Sequence, residues 1–297
     1  MGDQAGRRRA RGERGAVDPI DWAHSFDMDE QKEPVDLRTD QAHGARIYDY
    51  ILGGKDHYAK DREAGDASLQ AWPALRTHMR ANRTFMHRVV RYLAAEKGVR
   101  QFLDIGTGIP TSPNLHEVVQ QVDPRCRVVY VDNDPIVLVH ARAFMDTGSA
   151  EGGINYIDAD MREPDKILSA PQLRDTLDLT RPVGLTMIAM VHFILDDDEA
   201  YRVVRRVIDA MPPGSYFAAS VATDDFAPEV LAKVARTYAD HGEPLRWRTR
   251  AQAEKFFEGT ELLDPGVVQI HKWHPDPAEA GIRDEDIAMY GGVAYKP

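Results

Sequence analysis

Five short apolar runs, at residues 101–105, 127–131, 154–158, 183–191 and 215–221, recur along the middle of the chain with helical stretches between them. Strands that are apolar at nearly every position are buried on both faces, which requires a mainly parallel sheet with helices on either side. Helices are predicted over 112–122, 135–146, 164–169, 197–211 and 227–240, so strand and helix alternate as in an open, doubly wound α/β fold. Beyond residue 245 the rhythm changes. A short helix is predicted at 250–257, and two strands at 261–270 and 287–295 can pair as an antiparallel end to a sheet of seven strands.

Ahead of the first strand, Trp72, Leu75, Met79, Met86, Val89, Val90 and Leu93 recur at three- and four-residue steps. That spacing predicts a long amphipathic helix stopped by Gly98, with room for a break near 80–83. Residues 40–98 are therefore read as an N-terminal helical cap and 99–297 as the sheet-bearing core. Residues 1–39 read as a disordered, solvated leader. Five arginines, Arg7 to Arg14, precede a run of acids, with few apolar groups to offset the entropy of ordering. No apolar run of the kind a secretory signal carries follows the arginines.

Composition narrows the function. The charge of −11 disfavours a nucleic-acid partner. The longest apolar stretch, 183–195, is shorter than the roughly 20 residues of a bilayer span. A single cysteine, Cys126, excludes an intramolecular disulfide and a cysteine-based zinc site, and suits a cytoplasmic protein. His271 and His274 resemble a metal pair, but in a strand they would face opposite sides. No metal is expected.

The most informative residues are Phe102-Leu103-Asp104-Ile105-Gly106-Thr107-Gly108, a strand entering a glycine turn. Glycines let the backbone turn tightly and approach a ligand. The third glycine of the dinucleotide fingerprint is replaced by Thr111. Asp104, Asp132 and Asp160 then mark the ends of three successive strands, at the carboxyl edge where open parallel sheets bind ligands. Three acids would serve a pyrophosphate poorly. They suit a cationic, ribose-bearing ligand such as S-adenosylmethionine, with Asp104 at the ammonium, Asp132 at the ribose hydroxyls and Asp160 at the adenine amino group.

These residues resemble those of the class I S-adenosylmethionine-dependent methyltransferases. The run from Ala45 to Asp56 (ARIYDYILGGKD), followed by Asp61-Arg62, narrows the resemblance to an actinobacterial S-adenosyl methyltransferase family once catalogued as a domain of unknown function. Tyr130 to Pro135 (YVDNDP), Val191-His192-Phe193 and Tyr290 to Ala294 (YGGVA) are similar to it as well. The resemblance covers about residues 40–297. It implies a Rossmann-like class I fold with a seven-stranded sheet, and it places Asp104, Gly106 and Gly108 at the methionine end, Asp132 and Asn133 at the ribose, and Asp160 with Met161 around the adenine. The segment 46–56 would fold over the cofactor, where Tyr48, Lys55 or Tyr58 can reach the methionine carboxylate or line the cleft.

Methyl transfer is an in-line displacement that alignment and exclusion of water can accelerate, so a base is optional. His192, beyond the fourth apolar run, is the candidate general base, with Asp196 or Asp197 to orient it. Asp224 is expected to cap a helix. Trp247 is expected to pack the loop over the cleft, with Arg246 and Arg248 solvated. The reading is thus a methyltransferase acting on a small molecule. An NAD(P)-dependent oxidoreductase and a non-catalytic S-adenosylmethionine-binding protein are the alternatives.

Overall fold

The computed structural model describes residues 37–144 and 151–297. The expected leader, 1–39, falls almost wholly outside the described residues. Three helices come first: α1 (Gly44–Leu52), α2 (Ala59–Ala71) and α3 (Leu75–Ala95). Then β1 (Gln101–Ile105), α4 (Leu115–Val122), β2 (Arg127–Asp132), α5 (Pro135–Phe144), β3 (Gly153–Asp158), α6 (Pro164–Ser169), α7 (Pro171–Thr176), β4 (Gly184–Met187), α8 (Asp197–Ala210) and β5 (Tyr216–Ala222) alternate. The chain ends with α9 (Pro228–Asp240), α10 (Arg250–Lys255), β6 (Glu261–Leu262), β7 (Val268–Gln269) and β8 (Met289–Tyr295).

The strands form one sheet in the order β3-β2-β1-β4-β5-β8-β6, with β7 also paired to β8. The first five are parallel, and β8 runs antiparallel to β5 along its whole length. The sheet has eight strands where seven are expected. The predicted strand at 261–270 is interrupted by a turn at Asp264-Pro265-Gly266, in which the Gly266 amide bonds the Leu263 carbonyl, so its two ends pair separately with β8. The predicted strand at 183–191 stops at Met187, because Ala189 enters the left-handed region at φ 58° and Val191–Phe193 form a 3-10 turn.

Side-chain alternation sorts the sheet into two faces. Leu103, Ile105, Val129, Val131, Leu185 and Phe217 pack with Leu173, Val204 and Phe256 on one side. Phe102, Val128, Tyr130, Ala218 and Val293 pack with Phe85, Val89, Leu93 and Val119 on the other. α3 is unbroken, and its apolar stripe lies on this second face. The stripe does not extend back through Trp72 as one helix. Pro73 disfavours helical backbone at the residue before it, and Trp72 is extended at φ −143°, ending α2 instead. α1 ends as its sequence suggests, with Gly53 at φ 88° and the Gly54 amide bonded to the Asp49 carbonyl. Ile47, Ile51, Trp72, Leu75 and Met79 join Leu231, Val234 and Tyr238 in a separate cluster that fastens the three N-terminal helices to α9.

Among the described residues no helix is long and apolar enough to cross a membrane. His271 lies in a 3-10 turn rather than a strand, 3.4 Å from Asp284, and His274 bonds the Asp264 carbonyl.

Candidate active site

A cavity of about 770 Å³ opens at the carboxyl ends of the parallel strands, under α1, α3 and the loop after α9. That volume lies within the ~300–1,000 Å³ typical of small-molecule sites. Asp104, Gly106, Gly108, Asp132, Asn133, Asp160, Met161, Tyr48 and His192 all line it. Lys55 and Tyr58 do not. Lys55 is exposed, and Tyr58 sits beneath the Arg46 guanidinium among Ile109 and Ile136. They follow the Gly53-Gly54 turn, which carries the chain away from the cavity.

The glycine turn is stitched to the end of β2. The Gly106 and Thr107 amides bond the Val131 carbonyl, and the Gly108 amide bonds Asp132 Oδ2 at 2.8 Å. Gly106 and Gly108 stand at φ 85° and 66°. A Cβ on Gly106 would lie 2.0 Å from Met190 Sδ, so Met190 would have to move to admit one, whereas at Gly108 the nearest atom is 4.0 Å away, leaving space for a ligand beside the backbone.

Each acid is held differently. Asp104, 8% exposed, accepts the Thr186 hydroxyl at 2.5 Å. Burial pushes its carboxyl up to about 6, with the Asp132 charge adding to the rise and the Thr186 bond opposing it. Burial likewise raises Asp132, against amide bonds from Asp134 and Gly108 that favour its charged form. Each of its oxygens keeps a second lone pair for a ligand hydroxyl. Asp160 is more open. Burial pushes it up, but Arg162 donates to both of its oxygens, at 3.0 and 2.7 Å, and Asn133 to one at 3.3 Å, so the net effect is downward.

His192 lines the cavity but lacks the surroundings of a base. Its pKa falls to about 3, first through burial and then through the Arg248 charge. Neither expected aspartate orients it. Asp196 caps α8 by accepting the Glu199 amide, and Asp197 takes Arg246, Arg248 and Gln252. Arg248 is itself a correction: it is fully buried, donating to the Val191 and Ile194 carbonyls at 2.9 and 2.8 Å, and pins the turn that carries His192. Asp224 caps nothing with its side chain, since Ala227 is the N-cap of α9. Trp247, expected to pack the loop over the cleft, lines the cavity.

The sequence reading passed over two cap residues that line the cavity. Arg83 donates to the carbonyls of Thr111 and Pro113 behind the glycine turn. Asn82 links the cap to the strand ends: it donates to the Tyr48 hydroxyl at 3.3 Å and accepts from Ser220, which in turn receives the Ala189 amide. The Tyr48 hydroxyl also donates to the Met79 carbonyl at 2.8 Å. The signal available was the spacing Met79, Asn82, Arg83, Met86, one face of α3.

The donor set fits the cationic nucleoside that the strand-end acids suggest. The cavity runs unbroken from Asp104 past Asp132 to Asp160 and Met161. A dinucleotide fits less well, because α4 begins only at Leu115 and its first turn is closed by the Asn114–Glu117 capping box rather than left open beside the glycines.

A family model described as S-adenosyl methyltransferase matches residues 30–297. A DUF574 family protein from Streptomyces avermitilis is 61% identical, with a TM-score of 0.86 over 88% of this chain and 100% of that one. A candidate methyltransferase from Thermobifida fusca is 36% identical, with a TM-score of 0.81 over 90% and 99% of the two chains. An O-methyltransferase family protein from Burkholderia thailandensis, 13% identical, shares the fold at a TM-score of 0.51 over 80% of this chain and 59% of that one. No curated protein matches the sequence.

Proposed function

The chain belongs to the S-adenosyl methyltransferase family, and from that premise we propose how its residues share the work of an S-adenosylmethionine-dependent methyltransferase. When bound, the cofactor supplies a sulfonium methyl group, which passes to an acceptor lone pair as the carbon–sulfur bond breaks with its electrons on sulfur. Asp104 receives the ammonium of the methionine moiety, Asp132 and Asn133 the ribose hydroxyls, and Asp160 the adenine amino group, with Met161 against the ring. Gly106 and Gly108 keep the backbone out of the way. The observation that carries this reading is that three acids from successive strand ends line one continuous cavity with the glycine turn.

Residues 40–98 act as the lid of this site and 99–297 as its core. Tyr48 acts through its bonds to Met79 and Asn82, which join α1 to α3 within the lid, rather than as a cofactor ligand, and Asn82 ties the lid to the rim through Ser220. His192 transfers no proton, since an imidazole with so low a pKa is a weak base. Catalysis then rests on alignment and on exclusion of water, and an acceptor proton leaves to solvent. The acceptor is a small molecule, in keeping with the cavity's volume and the chain's charge of −11. We place the protein in the cytoplasm. Its one cysteine, Cys126, is buried, with a thiol pushed up to about 11 by that burial.

Calorimetric titration with S-adenosylmethionine, S-adenosylhomocysteine and NADH, on the wild type and on Asp132→Ala, tests the assignment. Micromolar binding of both sulfur nucleotides, weakened by the substitution, with no NADH binding, is expected. An unchanged affinity in Asp132→Ala would remove Asp132 from the site. NADH binding would promote the oxidoreductase alternative.

A further inference from the structure

The sheet order divides the cavity in two. β1, β2 and β3 lie on one side of the switch between β1 and β4, and their acids take up the donor half. The rest of the cavity opens over the ends of β4, β5 and β8, lined there by Ala189, Ala222 and Met289. Trp72 and Met79 of the cap, Tyr238 of α9 and Trp247 also line the cavity, and they cluster with Ala288 beside the start of β8. The wall is aromatic and apolar, the kind of surface on which a flat ring gains area burial and stacking.

Charge is scarce in this half. His78 and His192 both line it, and burial depresses them to about 4 and about 3, so both imidazoles are neutral at physiological pH. No lysine lines the cavity among the described residues, and the arginines that do, Arg38, Arg46, Arg83 and Arg162, are each engaged within the protein. Glu243, near the start of α1, has its carboxyl pKa raised by burial. A carboxylate or phosphate placed here would lose its hydration and meet no cation that is not already bound within the protein. Among the described residues, the indole Nε1 of Trp247 and Nδ1 of His192 find no hydrogen-bond partner and are buried out of reach of the cavity.

Building on the donor-site reading, we propose that the methyl acceptor is an uncharged aromatic small molecule, seated over the ends of β4, β5 and β8 against Trp72, Met79, Tyr238 and Trp247. Anionic acceptors are excluded by the same surroundings.

The test uses the full chain saturated with S-adenosylhomocysteine and titrated calorimetrically with three probes of one shape: 2-naphthol, 2-naphthoate and 2-naphthylmethylammonium. Naphthol is expected to bind at least tenfold more tightly than either ion. Trp247→Ala is expected to weaken naphthol at least fivefold and leave S-adenosylhomocysteine affinity unchanged. Trp72→Phe, which keeps the core filled, is expected to weaken it in the same direction. Binding of either ion as tight as naphthol, no naphthol binding at millimolar concentration, or indifference to both substitutions overturns the proposal while the donor site stands. Failure of S-adenosylhomocysteine itself to bind the wild type overturns both.

Discussion

Replacing Arg46 with Met should destabilise the protein far more than loss of an ordinary ion pair. The Arg46 side chain is 2% exposed and lies between Asp134, at 3.0 Å and fully buried, and Asp61, at 3.9 Å and fully buried. Its guanidinium also donates to the Arg38 carbonyl at 3.2 Å and the Gln41 carbonyl at 3.4 Å. Without it Asp134 keeps the Ile136 amide and the His43 imidazole at 3.2 Å, and Asp61 keeps the amides of His43 and Tyr58. Two buried carboxylates then face each other with no full positive charge between them. Breaking a buried pair from one side costs about 3–5 kcal/mol, whereas an exposed pair is worth at most about 1. Urea unfolding followed by tryptophan fluorescence would read the loss as a lower midpoint at constant slope. The double variant Arg46→Met/Asp134→Asn should recover a substantial part of it, because the uncompensated charge is gone. The site should register the damage as well. The Asp134 amide holds Asp132 Oδ1 at 2.9 Å, so S-adenosylhomocysteine should bind about tenfold more weakly to the single variant, some 1.4 kcal/mol. A loss below 1 kcal/mol, or a double variant no better than the single one, would refute the reasoning.

Other consequences are open to measurement. Asp104 has its pKa raised to about 6 by burial, so in the free protein it is protonated below that pH and has no charge to offer an ammonium. S-adenosylhomocysteine affinity should therefore be level above about pH 7 and fall by up to tenfold per unit below 6. Asp104→Asn should bind weakly at every pH, and a wild-type affinity constant from pH 5 to 7 would contradict the assignment. The His192 imidazole should show no titration by NMR between pH 5 and 8, since its pKa is about 3; a midpoint near 6.5 would restore it as a candidate base. Ala189 holds φ 58°, a conformation costing a residue with a Cβ roughly 1–2 kcal/mol. Ala189→Gly should thus be as stable as the wild type or slightly more so, by under about 1 kcal/mol, and a clear loss in urea unfolding would show that the methyl group packs usefully.

The part of this molecule legible in its sequence is the part governed by short-range pattern. Continuous apolar runs located β1, β2, β4 and β5 because burial on both faces leaves no room for polar alternation, whereas β3, at the sheet edge, is mostly half-buried and carries Asn155 among its apolar residues. The acids at the ends of β1 and β2 and just beyond β3 were visible because the chain turns directly after them. What escaped depends on contacts between distant segments. Arg248 looks solvated beside Arg246, yet it is buried because the Val191 and Ile194 carbonyls, more than fifty residues earlier, need its donors. His192 looks like a tuned base until Arg248 and His78 are brought near it. Lys55 and Tyr58 sit in the most family-specific stretch of sequence, but Gly53-Gly54 directs them away from the cavity, and no periodicity reports that. The break at Trp72 was readable from Pro73, and the apolar spacing across it hid the signal. Arg83 and Asn82 lay on a visible face of α3, but nothing local distinguishes a helix face that lines a ligand cavity from one that packs a core.

The most direct test of the central claim is a crystal structure with S-adenosylhomocysteine bound. It should show the amino group at Asp104, the ribose hydroxyls at Asp132 and the adenine amino group at Asp160 beside Met161, leaving free the half of the cavity over β4, β5 and β8. A nucleoside lying in that second half, or a ribose out of hydrogen-bond reach of Asp132, would contradict the division of the cavity on which the account rests.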